Sequence, residues 1–104
     1  FTSWNEPDAD RRRATLGEVV TADVRFRDAH GDVYGVDELV SHVGAALRFM
    51  PGITLEARGK LRRAHDVALV DWVAVGPDGT AALQGTNVVH FAADGRIREV
   101  VGVA

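Results

Sequence analysis

The second half of the chain constrains the fold most, because it reads as a succession of long strands joined by short turns. Apolar and polar residues alternate from Ile53 to Leu61, as in a strand with one buried face. The next segment is apolar on both faces apart from Asp71, and the one after it contains Gly85, which predicts a bulge or bend. The predicted strands cover residues 53–61, 67–75, 81–91 and 97–103.

The first half predicts helices and one hairpin. Residues 8–20 and 37–50 have apolar side chains at helical spacing, and a Pro-Gly pair stops the second of these helices. Between them, Val24 to Asp28 alternates as a strand, and the chain turns back into a short strand at residues 33–34. The apolar stripe of the second helix is Leu39, Val43, Ala46, Leu47 and Met50.

Helices followed by sequential strands predict an α+β fold with a mainly antiparallel sheet. Long strands with an interior glycine predict that this sheet is curved, and a curved sheet capped by helices forms a cone whose mouth is a natural ligand pocket. Residues 1–4 are expected to end a first, truncated helix, so about three helices cap the cone. The run from Arg11 to Arg13 is predicted to face solvent.

Composition excludes several classes of function. The 104 residues fit one domain spanning residues 1–104, and the net charge of −3 predicts no basic face for nucleic acid. The chain has no cysteine for a disulfide or a thiolate metal site, and no apolar run long enough to span a bilayer. Because the first residue is Phe1 and not Met, and no leader precedes it, we expect a trimmed start. We also expect a cytoplasmic protein without a cofactor.

Two polar side chains stand among apolar ones on the predicted strand faces. Asp28 shares its face with Val24 and Phe26, because residues two apart point to the same side of a strand. Asn87 is the polar member of the row that runs from Ala81 to Phe91. A carboxylate in an apolar setting suits a general base, and a buried amide needs a hydrogen-bond partner. The pair therefore predicts a base and an oxyanion-stabilising donor.

A purely structural interpretation of the same two residues stays open. Asp28 could end its strand and cap the following turn, and Asn87 could bond backbone beside Gly85. Strand alternation does not choose between the two interpretations, since both place the side chains on the same face.

Other side chains are candidates for the pocket. His30 follows Asp28 in the turn and could act as a proton shuttle at the pocket mouth, although a turn histidine is commonly just solvated. His42 is expected on the outer face of its helix, and none of the four histidines has metal-ligand spacing, so we expect no metal site. The candidates for contact with a flat apolar ligand are Phe26, Tyr34, Phe49, Met50, Trp72 and Phe91.

Short segments along essentially the whole chain together match the pattern of a known family. These segments are Trp4–Asp8, Val24–Gly31, Tyr34–Leu39, Met50–Gly52, His65–Asp66, Trp72, Gly76–Gly79, Gly85–Asn87 and Asp94–Ile97. The pattern resembles the SnoaL-like branch of the nuclear transport factor 2-like superfamily. The resemblance implies a cone-shaped, usually dimeric domain. The superfamily includes ketosteroid isomerase, polyketide cyclases, limonene-epoxide hydrolase and non-catalytic domains, so the fold alone does not decide the function.

The resemblance also implies roles for the two polar residues. Asp28 falls where ketosteroid isomerase carries its general base, and Asn87 falls where that enzyme carries a protonated aspartate that holds the oxyanion. SnoaL-like relatives often have aspartate at the position of Asn87. The resemblance therefore implies a single carboxylate base with a neutral hydrogen-bonding partner. The tyrosine that completes the oxyanion hole would precede Phe1, outside this sequence.

The residues and the resemblance together predict an enzyme that moves a proton on a small apolar molecule, by isomerisation, cyclisation or hydrolysis. Asp28 would be the base, Asn87 the donor to a substrate oxygen, and His30 would assist at the entrance. The alternative is a non-catalytic module that binds a ligand or dimerises to support a partner. The enzyme requires a pocket lined by both Asp28 and Asn87, whereas the module allows a filled cone or an Asp28 bound to backbone donors.

The strand around Asp71 predicts a homodimer. Leu69, Val73 and Val75 flank Asp71 on the face opposite to Trp72, so both faces of this strand are apolar. One face packs on the helices, and we expect the second to pack on another copy of the chain. Light scattering at micromolar protein should give twice the monomer mass, and a strict monomer would contradict the prediction.

Overall fold

The computed structural model describes residues 5–103, in which two helices and six strands follow one another. The expected helical turn at residues 1–4 lies outside this range. Neither helix is long and apolar enough to cross a membrane. The bounds are α1 Ala9–Val19, β1 Val20–Asp28, β2 Gly31–Tyr34, α2 Gly35–Phe49, β3 Thr54–Ala64, β4 Val67–Val75, β5 Ala81–Phe91 and β6 Ile97–Val103.

The six strands form one mixed, mostly antiparallel sheet in the order β2-β1-β6-β5-β4-β3. The four strands from β3 to β6 form the predicted meander, in which each strand pairs antiparallel with the next. The hairpin of β1 and β2 joins this meander through a parallel pairing of β1 with β6. The α+β fold class is confirmed, while the parallel pairing adds a contact that no local pattern indicated.

The interior glycine of β5 does not cause the bulge that the sequence predicted. Gly85 pairs in regular register with Trp72 of β4, and the shift between these strands comes later, between Ala74 and Val75. A Cβ at Gly85 would lie 2.6 Å from Trp72 Cζ2 and would also meet the carbonyl oxygen of Val103. Gly85 is therefore required by the close approach of an indole ring and a neighbouring strand.

The main core lies between α2 and β1. Leu39 and Val43 of the predicted helical stripe are buried against Val24 and Phe26, which lie on the same face of β1 as expected. Helix α1 begins with Asp8 as its N-cap, whose carboxylate accepts hydrogen bonds from two backbone N–H groups of the first turn. The apolar face of β1 and the apolar stripe of α2 thus pack together in one core.

The arginine run of α1 is only partly a solvated face. Arg11 and Arg13 are exposed, but Arg12 retains only 4% of its accessible surface. The Arg12 Nη1 donates to the backbone carbonyl of Glu6 at 2.7 Å, and a Cβ at Gly44 of α2 would lie 2.9 Å from Nη2. The prediction was wrong for Arg12, because the absence of a side chain at Gly44 lets the guanidinium lie between the helices.

Replacing Gly85 by alanine tests the close approach in the sheet. Overpacking at this position should lower the free energy of unfolding by about 1–3 kcal/mol. Gly17 offers the matched control, because it is exposed in α1 and a Cβ at this position would have no atom within 4 Å. Gly17→Ala should raise stability by about 0.5–1 kcal/mol through the better helix propensity of alanine. Urea unfolding of both variants checks this, and a Gly85→Ala variant as stable as the wild type would contradict the structure.

Candidate functional site

A cavity of about 610 Å³ opens between the C-terminal half of α2 and the sheet face that carries Phe26. This face is called the inner face below. Helix α2 supplies small and large apolar side chains to the wall, and β3, β4 and β5 supply the opposite wall. The apolar lining consists of Phe26, Ala29, Ala45, Ala46, Phe49, Met50, Leu55, Trp72, Ala74, Leu83 and Gly102. The polar lining consists of Asp28, His30, His42 and Asn87.

Asp28 lies at the end of β1, and its two carboxylate oxygens have different partners. Oδ1 accepts a hydrogen bond from the backbone N–H of His30 at 2.8 Å, which closes the turn. Oδ2 lies 3.2 Å from His42 Nε2. The Asp28 side chain is 18% exposed, so it faces the cavity rather than bulk solvent. Asp28 therefore closes the turn through Oδ1, and its side chain also lines the cavity.

His42 is the site residue that the sequence prediction missed. It was expected on the outer face of its helix, but its side chain is only 13% exposed and lines the cavity. A Cβ at Gly31 would lie 3.0 Å from His42 Cε1, so this glycine leaves the space that the imidazole fills. The ring also contacts Phe26, with ring centroids 5.3 Å apart.

A second stripe on α2 carried a signal for His42. The cavity-lining residues of this helix are His42, Ala45, Ala46 and Phe49. They recur at offsets of three, one and three residues, which is the spacing of one helix face. This stripe lies beside the core stripe of Leu39 and Val43. His42 begins a row of two alanines and one aromatic residue on one helix face. This pattern could have indicated that the row lines a cavity.

Asn87 lies on β5, where it pairs with Gly102 of β6 and with Val70 of β4. Its side-chain oxygen accepts a hydrogen bond from the indole Nε1–H of Trp72 at 3.1 Å. A Cβ at Gly102 would lie 3.2 Å from Asn87 Oδ1 and 3.3 Å from the Cβ of Asp28. The two polar side chains that the sequence singled out therefore flank one glycine on the same cavity wall.

The predicted apolar contacts are brought together only in part. Phe26, Phe49, Met50 and Trp72 line the cavity, with Phe49 84% exposed at its mouth. Tyr34 does not, because it pairs with Arg25 and so shares the outer face of the sheet, where the Arg25 guanidinium lies 4.9 Å from its ring. Phe91 lies beyond a register shift at the far end of β5 and stacks under Arg63 instead.

The hairpin that ends in Asp28 is held from its outer face by an ion pair. Arg25 donates to both carboxylate oxygens of Asp32, at 3.0 and 2.8 Å. This hydrogen bonding lowers the pKa of the Asp32 carboxyl below its usual value. The pair joins β1 to β2 on the outer face, next to the turn that contains His30.

His42 also borders a shallow groove on the outside of α2, whose other lining residues are Val33, Asp37, Glu38 and Ser41. The imidazole thus separates the cavity from an open surface that carries two acidic residues. Within residues 5–103, no group of three or more His, Asp or Glu side chains is arranged to hold a metal ion.

Comparison with known proteins agrees with this geometry. A family model described as a SnoaL-like domain matches residues 1–100. A crystal structure from Agrobacterium tumefaciens, named "putative isomerase of the SnoaL-like family", is 30% identical, covering 97% of this chain and 86% of that one with a TM-score of 0.93. A "putative polyketide cyclase" from Sinorhizobium meliloti is 21% identical, covering 99% and 100% of the two chains with a TM-score of 0.70.

A curated protein also matches part of the sequence. The DNA mismatch repair protein MutS of Anaeromyxobacter dehalogenans is 36% identical over 60 residues, which are 58% of this chain and 7% of that protein. This match concerns a small fraction of MutS, whereas the family model extends over nearly all of the present chain. The chain therefore belongs to the SnoaL-like domain family.

Proposed function

We propose that this protein is an enzyme that moves a proton on a small, flat, apolar molecule, by isomerisation, cyclisation or hydrolysis. The observation that supports it is the Asp28–His42 pair, with Oδ2 and Nε2 3.2 Å apart, on the wall of an otherwise apolar cavity. The isomerase name of the Agrobacterium relative is consistent with this chemistry. A cavity of about 610 Å³ suits a molecule of two or three fused rings.

Asp28 is the proposed base. Each carboxylate oxygen keeps a lone pair beyond the one bonded to His30 or His42, so a substrate C–H can approach from the cavity. The proton passes to Oδ2, and the electron pair of the broken C–H bond moves onto the substrate oxygen as an enolate. Asn87 donates a hydrogen bond to that oxygen. A base positioned in this way typically contributes about 10²–10⁴-fold to the rate.

His42 acts through Asp28 in this proposal. Its Nε2 bonds the carboxylate oxygen that takes the proton, and its ring borders the outer groove with Asp37 and Glu38. Because an ionised carboxylate only accepts hydrogen bonds, Nε2 carries the hydrogen and donates it to Oδ2. The imidazole therefore orients the carboxylate, and the proton on Asp28 returns to the substrate or exchanges with solvent at the cavity mouth. His30 lies nearer the mouth, where its backbone N–H orients the same carboxylate through Oδ1.

The non-catalytic alternative rests on one specific observation. The bond from the His30 backbone N–H to Asp28 Oδ1 is a turn-closing contact that a ligand-binding module would also need. In that case Asp28 is a structural residue and the cavity binds a ligand without changing it. Proton exchange separates the two functions, because binding alone does not accelerate it.

We also propose that two copies associate through the outer face of β4. Asp71, which interrupts this apolar face, is already neutralised by Arg62 at 3.1 Å and accepts a hydrogen bond from Thr86 at 2.7 Å. A compensated carboxylate can be covered by a partner more readily than an isolated one. Val73 is 2% exposed and already buried within the chain, so a partner would contact the half-buried Leu69 and Val75. Val103, which pairs with Thr86 on the same face, is 55% exposed and extends this surface.

Replacing Asp28 by asparagine tests the base. We expect wild-type protein to accelerate exchange of the protons next to the carbonyl of 1-indanone with D₂O, measured by NMR. Asp28→Asn should reduce that acceleration by about 10²–10⁴-fold, since the amide cannot take up the proton. Asp94→Asn, the same chemical change in an exposed turn, is the control and should leave the rate unchanged. Full exchange activity in Asp28→Asn would assign the base to another residue.

Replacing His42 by leucine and by asparagine tests its hydrogen bond to Asp28. His42→Leu should lower the exchange rate by about 10-fold with little change in 1-indanone affinity, because a hydrogen bond that orients the charged base is lost. Asparagine can still donate a hydrogen bond to the carboxylate, so His42→Asn should retain most of the wild-type rate. An equal loss of rate in the two variants would contradict the orienting role of His42.

A further inference from the structure

The hydrogen bond between Trp72 and Asn87 defines which end of the amide is held by the protein. The two residues lie on the inner face of neighbouring strands, where Trp72 pairs with Gly85 and Asn87 pairs with Val70. Because Gly85 has no side chain, the indole can lie over β5, and its Nε1–H reaches Asn87 Oδ1 at 3.1 Å.

The chemistry of indole makes this contact directional. The indole N–H is a donor and has no acceptor role, so the amide atom that faces it must be the oxygen. A rotated Asn87 would place its NH₂ group against the indole N–H, which opposes two donors. The oxygen also lies close to Gly102, where a Cβ would be only 3.2 Å away from it. The amide nitrogen is therefore the end that Asn87 offers to the cavity.

We propose that Trp72 is a positioning residue that holds Asn87 as a hydrogen-bond donor, so that the site selects ligands carrying an acceptor oxygen. Such an oxygen is a ketone, an enolate or a phenolate on a flat apolar frame. A ligand that presents an N–H group at the same place faces another donor and forms no hydrogen bond with Asn87. This inference deepens the proposed function, since it names the substrate class, but the selection requires no catalysis.

The position of Gly102 links this selection to the base. Asp28 and Asn87 lie on either side of this glycine, so one small ligand contacts both. A ligand oxygen bound by the Asn87 nitrogen therefore lies on the same cavity wall as the proposed base.

Three bicyclic probes with the same fused ring frame separate the effect of the amide from apolar contact. The ketone 1-indanone carries an acceptor, indole carries a donor, and indene carries neither. Wild-type protein should bind 1-indanone about 3–10-fold more tightly than indene, as one added hydrogen bond allows, and should bind indole no more tightly than indene. Affinities are measured by NMR titration, and the indene affinity of each variant reports any loss of apolar contact.

Two variants act on the two ends of the contact. In Trp72→Phe the amide is free to rotate, so the 1-indanone to indole affinity ratio should fall towards one. Asn87→Leu is the matched control, in which the 1-indanone advantage over indene should disappear. Circular dichroism verifies that each variant is folded.

An unchanged 1-indanone to indole ratio in Trp72→Phe would overturn the positioning role. If that variant does not fold, Asn87→Leu decides alone, and a retained advantage of 1-indanone over indene would overturn the proposal. These outcomes are distinct from failure of the proposed function, which would appear as normal selection among the three probes without accelerated proton exchange.

Discussion

The packing of α2 on one end of the sheet is the constraint on which the rest of the structure depends. Leu39 and Val43 pack this helix against β1, and the helix contacts the sheet chiefly at β1 and β2. Towards the C-terminal half of the helix, the cavity of about 610 Å³ lies between α2 and the inner face of β4 and β5. Small residues on the facing walls, among them Ala45, Ala46 and Ala74, leave the cavity unfilled. A helix and a sheet that meet at one end enclose space at the other.

Within that cavity, the polar groups depend on glycines at three close approaches. Gly31 leaves room for the imidazole of His42, Gly85 for the indole of Trp72, and Gly102 for the pair of Asp28 and Asn87. A methyl group at any of these positions would lie within 3.3 Å of a side-chain atom of the site. Such distances are tighter than ordinary packing, so the glycines determine the site by the space that they leave rather than by backbone flexibility.

The polar side chains that line the cavity are one carboxylate, one amide and the imidazoles of His30 and His42. Asp28 divides its oxygens between a turn-closing bond to His30 and a bond to His42. In the amide of Asn87, the oxygen accepts the hydrogen bond from the Trp72 indole. His42 lies 3.2 Å from the second oxygen of Asp28, on the side of the cavity that borders an open groove.

Much of this could be predicted from the sequence, because strand and helix periods are local properties of the chain. Alternation alone identified the meander from β3 to β6, placed Asp28 on the face of Val24 and Phe26, and placed Asn87 on an apolar face. Alternation could not decide that Tyr34 lies on the outer face, because this follows from its pairing with Arg25 across the hairpin. The parallel pairing of β1 with β6 joins residues distant in the chain.

Only the tertiary structure decided which side chains meet. His42 turns inward because α2 covers two adjacent stripes, and one helical period is compatible with burying either stripe or both. The bond from Trp72 to Asn87 exists because β4 and β5 pair in a register that places them diagonally across Gly85. The sequence by itself determined the strands and which residues share a face. The contacts between faces were decided by non-local packing, for which a single strand or helix carries no information.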